Sequence, residues 1–194
     1  MARTREFSED IVLDAAMHLF WAKGYAGTSI QDLVDNTGLK PPSIYNAFGN
    51  KRGLFNVVLA RYSERVMARL VKAVEDAPTA RAAIEKLLRT IVKQHFDPAT
   101  PDGCMLALAA HERRLHDKDT HTAVSMEFHK LEDALWARLT KGQSDGEFDE
   151  KFDPRGTSTA IVSICAGLFT LGRSDFSKHS LLRAIRAIEC LLGK

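Results

Sequence analysis

Apolar residues recur at helical spacing along most of the chain, and no segment alternates with the two-residue period of a strand. Between residues 28 and 52 this pattern predicts two short helices. The first has its inward positions at i, i+3, i+4 and i+7: Ile30, Leu33, Val34 and Thr37. Gly38 ends it, because glycine adopts the left-handed conformation of a tight C-terminal turn. The second begins at Pro41–Pro42, where the fixed φ of proline suits a first helical turn, and it turns Ile44 and Phe48 inward.

The second short helix leaves small and polar residues facing outward: Lys40, Ser43, Tyr45 and Asn46. Two short helices that are joined by a glycine turn and carry such a face are typical of a helix-turn-helix DNA reader. Thr28 and Gln31 fit a capping box, which predicts that the first helix starts at residue 28 or 29. Upstream, Ser8 is predicted to cap a helix that ends near Lys23–Gly24 and has this apolar face: Ile11, Val12, Ala15, Ala16, Leu19 and Phe20.

Downstream, Asn50 is predicted to cap a longer helix that runs to about Glu75, with these residues inward: Leu54, Phe55, Val58, Leu59 and Tyr62. Its first turn holds Lys51 and Arg52, although cations at a helix N-terminus oppose the macrodipole. A DNA phosphate over that helix start would use both the cations and the free N–H groups. A basic stripe further along is predicted to be a solvated face: Arg61, Arg65, Arg69 and Lys72.

The rest of the chain continues as helices. Thr79 is predicted to cap one that ends at Phe96, and 97–103 is a loop. Helices are predicted to follow at about 104–115 and 119–139. The polar connection 142–154 is predicted to be a mobile surface loop, and the last two helices are predicted at about 155–172 and 178–192. The predicted fold class is therefore all-α with about nine helices. A three-helix helix-turn-helix DNA-binding domain would occupy residues 1–55, and a larger helical effector-binding and dimerisation domain residues 56–194.

Composition narrows the class of protein. The net charge of the 194 residues is only +2, which alone does not suggest nucleic acid, but Lys40, Lys51 and Arg52 cluster at the proposed DNA face. Arg3 and Arg5 lie on a predicted tail that either reaches a minor groove or is simply solvated. The chain has no apolar run of membrane-spanning length and no signal-peptide core, and its three cysteines lack paired spacing. These features predict a cytoplasmic protein.

Two motifs carry a family resemblance: F-x-x-x-G-Y-x-x-T-S-I at 20–30 and T-G-L-x-P-P-S-I-Y-N-x-F-x-x-K at 37–51. They resemble the amino-terminal domain of the TetR/AcrR family of transcriptional regulators. The resemblance implies that Thr28, Tyr45 and Lys51 contact phosphates, with Arg52 beside them. It places the following residues at the DNA on the recognition helix: Lys40, Pro41, Pro42, Ser43 and Asn46. Lys40 departs from the family, because many members have a serine or threonine cap there.

The last two helices are too apolar for a surface shared only with water, and the resemblance implies that they form a four-helix dimer interface. The predicted interface residues are Ile161, Ile164, Cys165, Leu168, Leu181, Leu182, Ile185 and Ile188. Two-fold symmetry would also let a short recognition helix cover a useful site. The alternative is that both helices only close the domain core.

A regulator of this family is expected to be a repressor released by a small effector, here an apolar one. The residues predicted to line its site are Phe96, Cys104, Met105, His111, Met126, Phe128, Trp136, Leu168 and Phe169, each of which could instead be core. The sequence contains no glycine-rich phosphate loop and no paired-carboxylate motif, so we expect neither an enzyme nor a cofactor. Non-specific architectural DNA binding and thiol enzymology are the weaker alternatives.

Cys104 suggests a second kind of signal. It follows Asp102–Gly103 at a predicted helix start, where the dipole would lower a thiol pKa, and GCMLALAAHE resembles a GC-L motif of one group within the family. The alternative function is therefore a thiol-based redox or electrophile sensor acting through Cys104. Cys165 and Cys190 are predicted to be buried on apolar faces. Four histidines lack tight ligand spacing, so no metal site is predicted: His111, His116, His121 and His129.

Overall fold

The computed structural model describes residues 2–191, with side chains from 9 to 190, and every regular element in this range is helical. The helices are α1 Ala2–Lys23, α2 Ile30–Thr37, α3 Pro41–Phe48, α4 Lys51–Tyr62, α5 Ala68–Glu75, α6 Ala80–His95, α7 Met105–His111, α8 Lys118–Ser144, α9 Pro154–Gly172 and α10 Lys178–Leu191. The predicted all-α class is confirmed. Within these residues, no helix is both long enough and apolar enough to cross a membrane.

The chain forms two compact units. The first contains the residues up to Arg65 together with Cys104–Val124, and the second contains Val66–Gly103 together with the residues from Ser125 onward. Within the first unit, α1 contacts α2, α4 and α7, and α4 contacts both α3 and α7. The segment Cys104–Val124 therefore packs with the amino-terminal helices. The functional division after residue 55 stays a prediction.

Helix α1 differs from its prediction in both start and buried face. It begins at Ala2, so Ser8 lies inside the helix and does not begin it; the side chains of Ser8, Arg3 and Arg5 are outside those described. The buried residues are Leu13, Ala16, Met17, Leu19, Phe20 and Trp21, whereas Ile11 is 54% exposed. The face is rotated because Trp21 packs edge-to-face on the α4 residue Tyr62, with ring centroids 4.9 Å apart.

The long helix predicted from Asn50 to about Glu75 is confirmed as α4 and α5, which are joined by a π-helical turn at Ser63–Met67. The Asn50 side chain accepts a hydrogen bond from the Gly53 N–H, as expected of a cap. The basic stripe is not simply solvated, because Arg61 Nε and Arg65 Nη1 each lie 2.6 Å from Asp14 Oδ1. The first two arginines thus tie α4 and the π turn to α1.

In the second unit, α6 packs against α5, α9 and α10. The Thr79 hydroxyl caps α6 at the Ala82 N–H, and the predicted inward residues are all buried: Ile84, Leu87, Leu88, Ile91 and Val92. The connection after α8 lies mostly at the surface, as predicted, and some of its residues make defined contacts. Glu147 accepts hydrogen bonds from the first two N–H groups of α6, and Phe148 stacks on Phe152 at 4.1 Å.

The two carboxyl-terminal helices have the predicted bounds, but the single chain already buries most of the predicted dimer interface. Five of its eight residues belong to the core of the second unit: Ile161, Cys165, Leu168, Leu181 and Ile185. Little of each side chain remains for a partner to cover, and the assignment of these five residues to a dimer interface stays a prediction. Ile164, Leu182 and Ile188 are half-buried. Cys165 is buried as predicted, whereas Cys190 is exposed, contrary to prediction.

Candidate nucleic-acid interface

The turn between α2 and α3 has the geometry predicted from Gly38. This glycine adopts a φ of 70°, in the left-handed region, and its N–H donates to the Val34 carbonyl at 2.9 Å. Leu33 of α2 and Ile44 of α3 are fully buried on the inner side of the pair. The two short helices are thus held at a fixed angle by a common core and a closed turn.

The capping box of α2 lies one residue later than predicted. Ser29 Oγ accepts from the Asp32 N–H, and the Asp32 carboxylate accepts from the Ser29 N–H at 2.8 Å. Hydrogen bonds from Lys23 and Ser29 hold the pKa of the Asp32 carboxyl well below its usual range. The sequence signal was available, since S-x-x-D over 29–32 fits a cap as well as T-x-x-Q over 28–31 does.

Thr28 is not at the surface. Its side chain is fully buried, and its hydroxyl donates to the Gly24 carbonyl at 2.7 Å. The phosphate contact that the resemblance implies for Thr28 therefore has no exposed side chain to make it in this conformation. Ser29 is the exposed hydroxyl residue at the start of α2.

Helix α3 presents the outward face that the sequence predicts. The candidate DNA residues are all exposed: Lys40, Pro41, Pro42, Ser43, Tyr45 and Asn46. Ile44 is fully buried and Phe48 half-buried, which orients the helix. Asn46 and Lys40 thus offer exposed hydrogen-bonding groups to a groove, and Tyr45 is exposed as well.

The start of α3 explains how a lysine can replace the usual cap. Lys40 occupies the N-cap position without a side-chain capping bond. Pro41 and Pro42 have no N–H, and the next two N–H groups, of Ser43 and Ile44, both donate to the Lys40 carbonyl at 2.9 and 3.3 Å. The Ile44 bond is the ordinary first bond of the helix. The two groups that a capping side chain would serve are therefore missing, at Pro42, or already paired, at Ser43, and no serine or threonine hydroxyl is needed.

The two cations at the start of α4 have protein partners that the sequence did not show. Lys51 Nζ lies 4.2 Å from the centre of the Tyr25 ring, and burial lowers the pKa of Lys51, although Glu112 and Asp32 oppose this. Arg52 Nη2 donates to the Leu115 carbonyl at 3.0 Å. Both side chains remain half-buried, so a phosphate at this helix start would compete with or extend these contacts.

The residues predicted to line an effector site lie in different environments. Cys104, Met105 and His111 belong to the first unit, and the remaining six to the second. In the second unit, Met126 and Trp136 are about half-exposed, at 53% and 45%, whereas Leu168 and Phe169 are buried. The Arg155 guanidinium covers the Trp136 ring at 4.9 Å. The effector site stays a prediction.

Cys104 is at the helix start predicted for it, but its chemistry is the opposite of that predicted. It occupies the N-cap position of α7 and is only 3% exposed. Burial raises the pKa of the thiol and outweighs the Tyr62 hydroxyl, which donates to Sγ at 3.4 Å, and the nearby N–H groups. Within the described residues, no group of three His, Cys, Asp or Glu side chains could hold a metal ion.

A glycine turn that joins two short helices, the second with a polar outward face, defines a helix-turn-helix DNA-binding protein. Family models agree with this class. Residues 12–58 match the model of bacterial regulatory proteins of the tetR family, and residues 80–188 match the tetracyclin repressor-like C-terminal domain. The chain belongs to the TetR family of transcriptional regulators, which are DNA-binding proteins and not enzymes.

Individual relatives support the same assignment. The uncharacterized HTH-type transcriptional regulator YezE of Bacillus subtilis (strain 168) is 30% identical, with 77% of each chain covered. The HTH-type transcriptional repressor ComR of Escherichia coli (strain K12) is 29% identical over 93% of this chain and 87% of its own. A cysteine mutant of the TetR family regulator CifR, solved with 26-bp operator DNA, is 28% identical, with a TM-score of 0.83 and coverage of 93% and 94%.

Proposed function

We propose that this protein is a sequence-specific transcriptional repressor that binds a palindromic operator as a homodimer and is released by a small apolar effector. The observation that carries the proposal is the outward face of α3, which is fixed by the buried Ile44 and carries Lys40, Tyr45 and Asn46 in the open. The similarity to the repressor ComR and to the operator complex of CifR supports it.

Base reading falls to two side chains in this scheme. Asn46 can bond an adenine edge through its amide, and Lys40 a guanine edge through its ammonium. The Tyr45 hydroxyl and the Lys51 ammonium would hold phosphates and so set the register of α3 in the groove. Pro41, Pro42 and Ser43 are small enough for close approach, and Arg52 would add a phosphate contact if it turned from the Leu115 carbonyl.

The homodimer follows from the size of the reading element. One eight-residue helix covers only a few base pairs, whereas two copies about 34–36 Å apart read successive major grooves. Among the described residues of α9 and α10, the apolar groups left for a partner include the half-buried Ile164, Leu182 and Ile188 and the exposed Leu171. An effector would act by binding more tightly to a dimer geometry in which the two recognition helices are wrongly spaced for the operator. The coupling free energy between effector binding and DNA binding is typically about 1–3 kcal/mol.

The thiol-sensor alternative, through Cys104, finds less support. A reactive thiol needs a lowered pKa and access to its oxidant, and Cys104 has a raised pKa and is buried. A Cys104→Ser variant tests it directly. If the regulator responds to an effector and not through its thiol, peroxide or an electrophile should leave operator binding unchanged in both the wild type and the variant. Release of the wild type alone by such reagents would establish the thiol alternative.

The central experiment is a footprint on the DNA immediately upstream of the protein's own gene, at two salt concentrations, followed by selection from random sequences. Asn46→Ala should weaken specific binding by about 1–3 kcal/mol, or roughly 5- to 150-fold. Asn36→Ala is the matched control, because this exposed asparagine of α2 donates to the Asp32 carbonyl of its own helix. Steeply salt-dependent binding that is indifferent to sequence and to Asn46 would instead indicate an architectural DNA binder.

A further inference from the structure

A carboxylate from a distant part of the first unit binds the turn that precedes α2. Glu112, at the C-terminal end of α7, accepts the Tyr25 N–H on Oε2 at 2.8 Å and the Ala26 N–H on Oε1 at 2.9 Å. Both donors lie in the turn between α1 and α2, 86 and 87 residues away in sequence. Because the acceptor is charged, these are the stronger kind of hydrogen bond.

The backbone at Gly24 is shaped for this carboxylate. Gly24 has a φ of 74°, and a Cβ built on it would lie 2.8 Å from Glu112 Oε1. A side chain there would therefore be strained by the backbone and would also press on the carboxylate. The Gly24 N–H and carbonyl are both used within the turn, by the Phe20 carbonyl and the Thr28 hydroxyl.

The residues that follow Glu112 reach the first turns of α4. The Leu115 carbonyl accepts from Arg52, the His116 ring stacks on Phe55 at 5.0 Å, and the Thr120 hydroxyl bonds the Asn56 side chain at 2.8 Å. We call residues 112–120 the strap. It contacts the turn before α2 and the start of α4, which are the two segments that flank the helix-turn-helix pair in the chain.

Tyr25 joins the strap to a predicted phosphate contact. Its N–H is held by Glu112, its ring packs on His116 and Phe55 at 5.0 and 5.1 Å, and Lys51 Nζ lies over that ring at 4.2 Å. The position of the Lys51 ammonium therefore depends on a ring whose backbone is fixed by Glu112.

We propose that Glu112 is a positioning residue for DNA binding: through the Tyr25–Ala26 turn, it holds Lys51 where that ammonium meets an operator phosphate. This inference rests on the proposed function, which supplies the operator and the phosphate. Glu112 itself does not touch the DNA in this scheme, and its carboxylate accepts hydrogen bonds from the two N–H groups.

The test uses a duplex that the wild-type protein selects from a random-sequence pool. Affinity is measured over a salt series for Glu112→Ala, Glu112→Gln and the matched control Glu64→Gln, an exposed glutamate of the same unit. We expect Glu112→Ala to bind about tenfold more weakly, as for the loss of one charged hydrogen-bonding group. Its plot of log affinity against log salt should also lose about 0.9 of slope, the contribution of one phosphate.

Two further measurements distinguish positioning of Lys51 by Glu112 from a general stabilisation of the fold. In a Lys51→Ala background, Glu112→Ala should cost little more affinity, because the contact through which it acts is already gone. Amide hydrogen exchange should speed up at Tyr25 and Ala26 while α4 stays protected. Glu112→Gln keeps the shape of the side chain and one acceptor oxygen, so it should disturb folding less than Glu112→Ala does. It should show an intermediate effect in each assay.

The outcomes are distinguishable. Unchanged affinity and slope despite faster exchange at Tyr25 and Ala26 would overturn the inference, as would a loss of affinity with the salt slope intact. A loss that adds in full to that of Lys51→Ala would overturn it too. If the wild-type protein selects no sequence, it is the proposed function that fails.

Discussion

His116 is a buried imidazole whose replacement should stabilise the protein. It lies 8% exposed in the first unit, with its ring stacked on Phe55 at an interplanar angle of 13° and tilted against Tyr25. Neither Nδ1 nor Nε2 has a hydrogen-bond partner among the residues that the structure describes. A neutral imidazole has one donor and one acceptor, so both polar atoms are buried unpaired.

The magnitude follows from two opposing effects. Each unpaired buried polar group costs about 1–3 kcal/mol, and His116→Phe removes both while keeping the aromatic stack. The larger phenyl ring adds an overpacking cost of about 1–3 kcal/mol. At the middle of both ranges, we therefore expect a net gain of roughly 2 kcal/mol in the free energy of unfolding at neutral pH.

The pH dependence is the sharper test. Burial lowers the pKa of His116 below its ordinary 6.5; His121 and Arg52 add to this effect, and Glu112 and Asp117 oppose it. As the pH falls below 6.5, His116 becomes protonated in the unfolded chain but stays neutral in the folded protein. The wild type therefore loses stability until the pH reaches the lowered pKa of the folded state. The loss is about 1.4 kcal/mol for each unit by which the pKa is lowered. His116→Phe removes this loss.

Urea unfolding at pH 7.5 and 5.5 measures both effects, with His179→Phe as a control for removing an exposed histidine. The variant should gain most over the wild type at pH 5.5, and the control should follow the wild type at both values. A variant less stable than the wild type at pH 7.5, or one with the same loss of stability between the two pH values, would refute the reasoning.

Three other substitutions test contacts that hold the helices together. Burial alone would raise the pKa of Asp14, but hydrogen bonds from two arginines lower it overall, so its contribution is present above pH 3.8 and is lost as the pH falls through the lowered pKa. Asp14→Asn should therefore lower the free energy of unfolding by about 1 kcal/mol at pH 7 and by less at pH 3; the figure is kept small because the Asp14 side chain is partly exposed. Ser29→Ala should cost about 1 kcal/mol through the α2 cap, with faster amide exchange in α2. Glu147→Ala should lower unfolding stability by about 1–2 kcal/mol, while Glu150→Ala, an exposed neighbour, should not.

The sequence predicted the helices well because their signals are local. The α2–α3 pair was readable from Gly38, the two prolines and the four-residue apolar spacing, all within about one turn of the features they specify. The error at the start of α2 has the same origin. Two overlapping capping patterns, at Thr28 and Ser29, are equally good locally, and only the packing that buries Thr28 decides between them.

What the sequence could not show are contacts between residues far apart along the chain. Asp14 meets Arg61 across 47 residues, and Glu112 meets Tyr25 across 87. In the sequence, the arginines formed a basic stripe that was predicted to be a solvated face, and no local pattern distinguished Glu112 from other charged residues. Periodicity also shows that a helix face is apolar without showing what covers it. For that reason, the sequence alone could not show that Ile161 and Ile185 pack inside the second unit.

The departure at Lys40 shows how local chemistry can free a position for DNA reading. A cap residue is normally constrained to a short oxygen-bearing side chain, because helix N–H groups need an acceptor. Here the two positions that a capping side chain would serve need no acceptor, because Pro42 has no N–H and the Ser43 N–H donates to the Lys40 carbonyl. The side chain at position 40 is therefore not required as a cap. It stands exposed at the N-terminal end of α3, the end that contacts base edges in helix-turn-helix proteins. We therefore expect Lys40→Ser to leave folding stability within about 0.5 kcal/mol of the wild type while changing which sequences are selected. A variant that loses stability but selects the same operator would show that position 40 serves the fold instead.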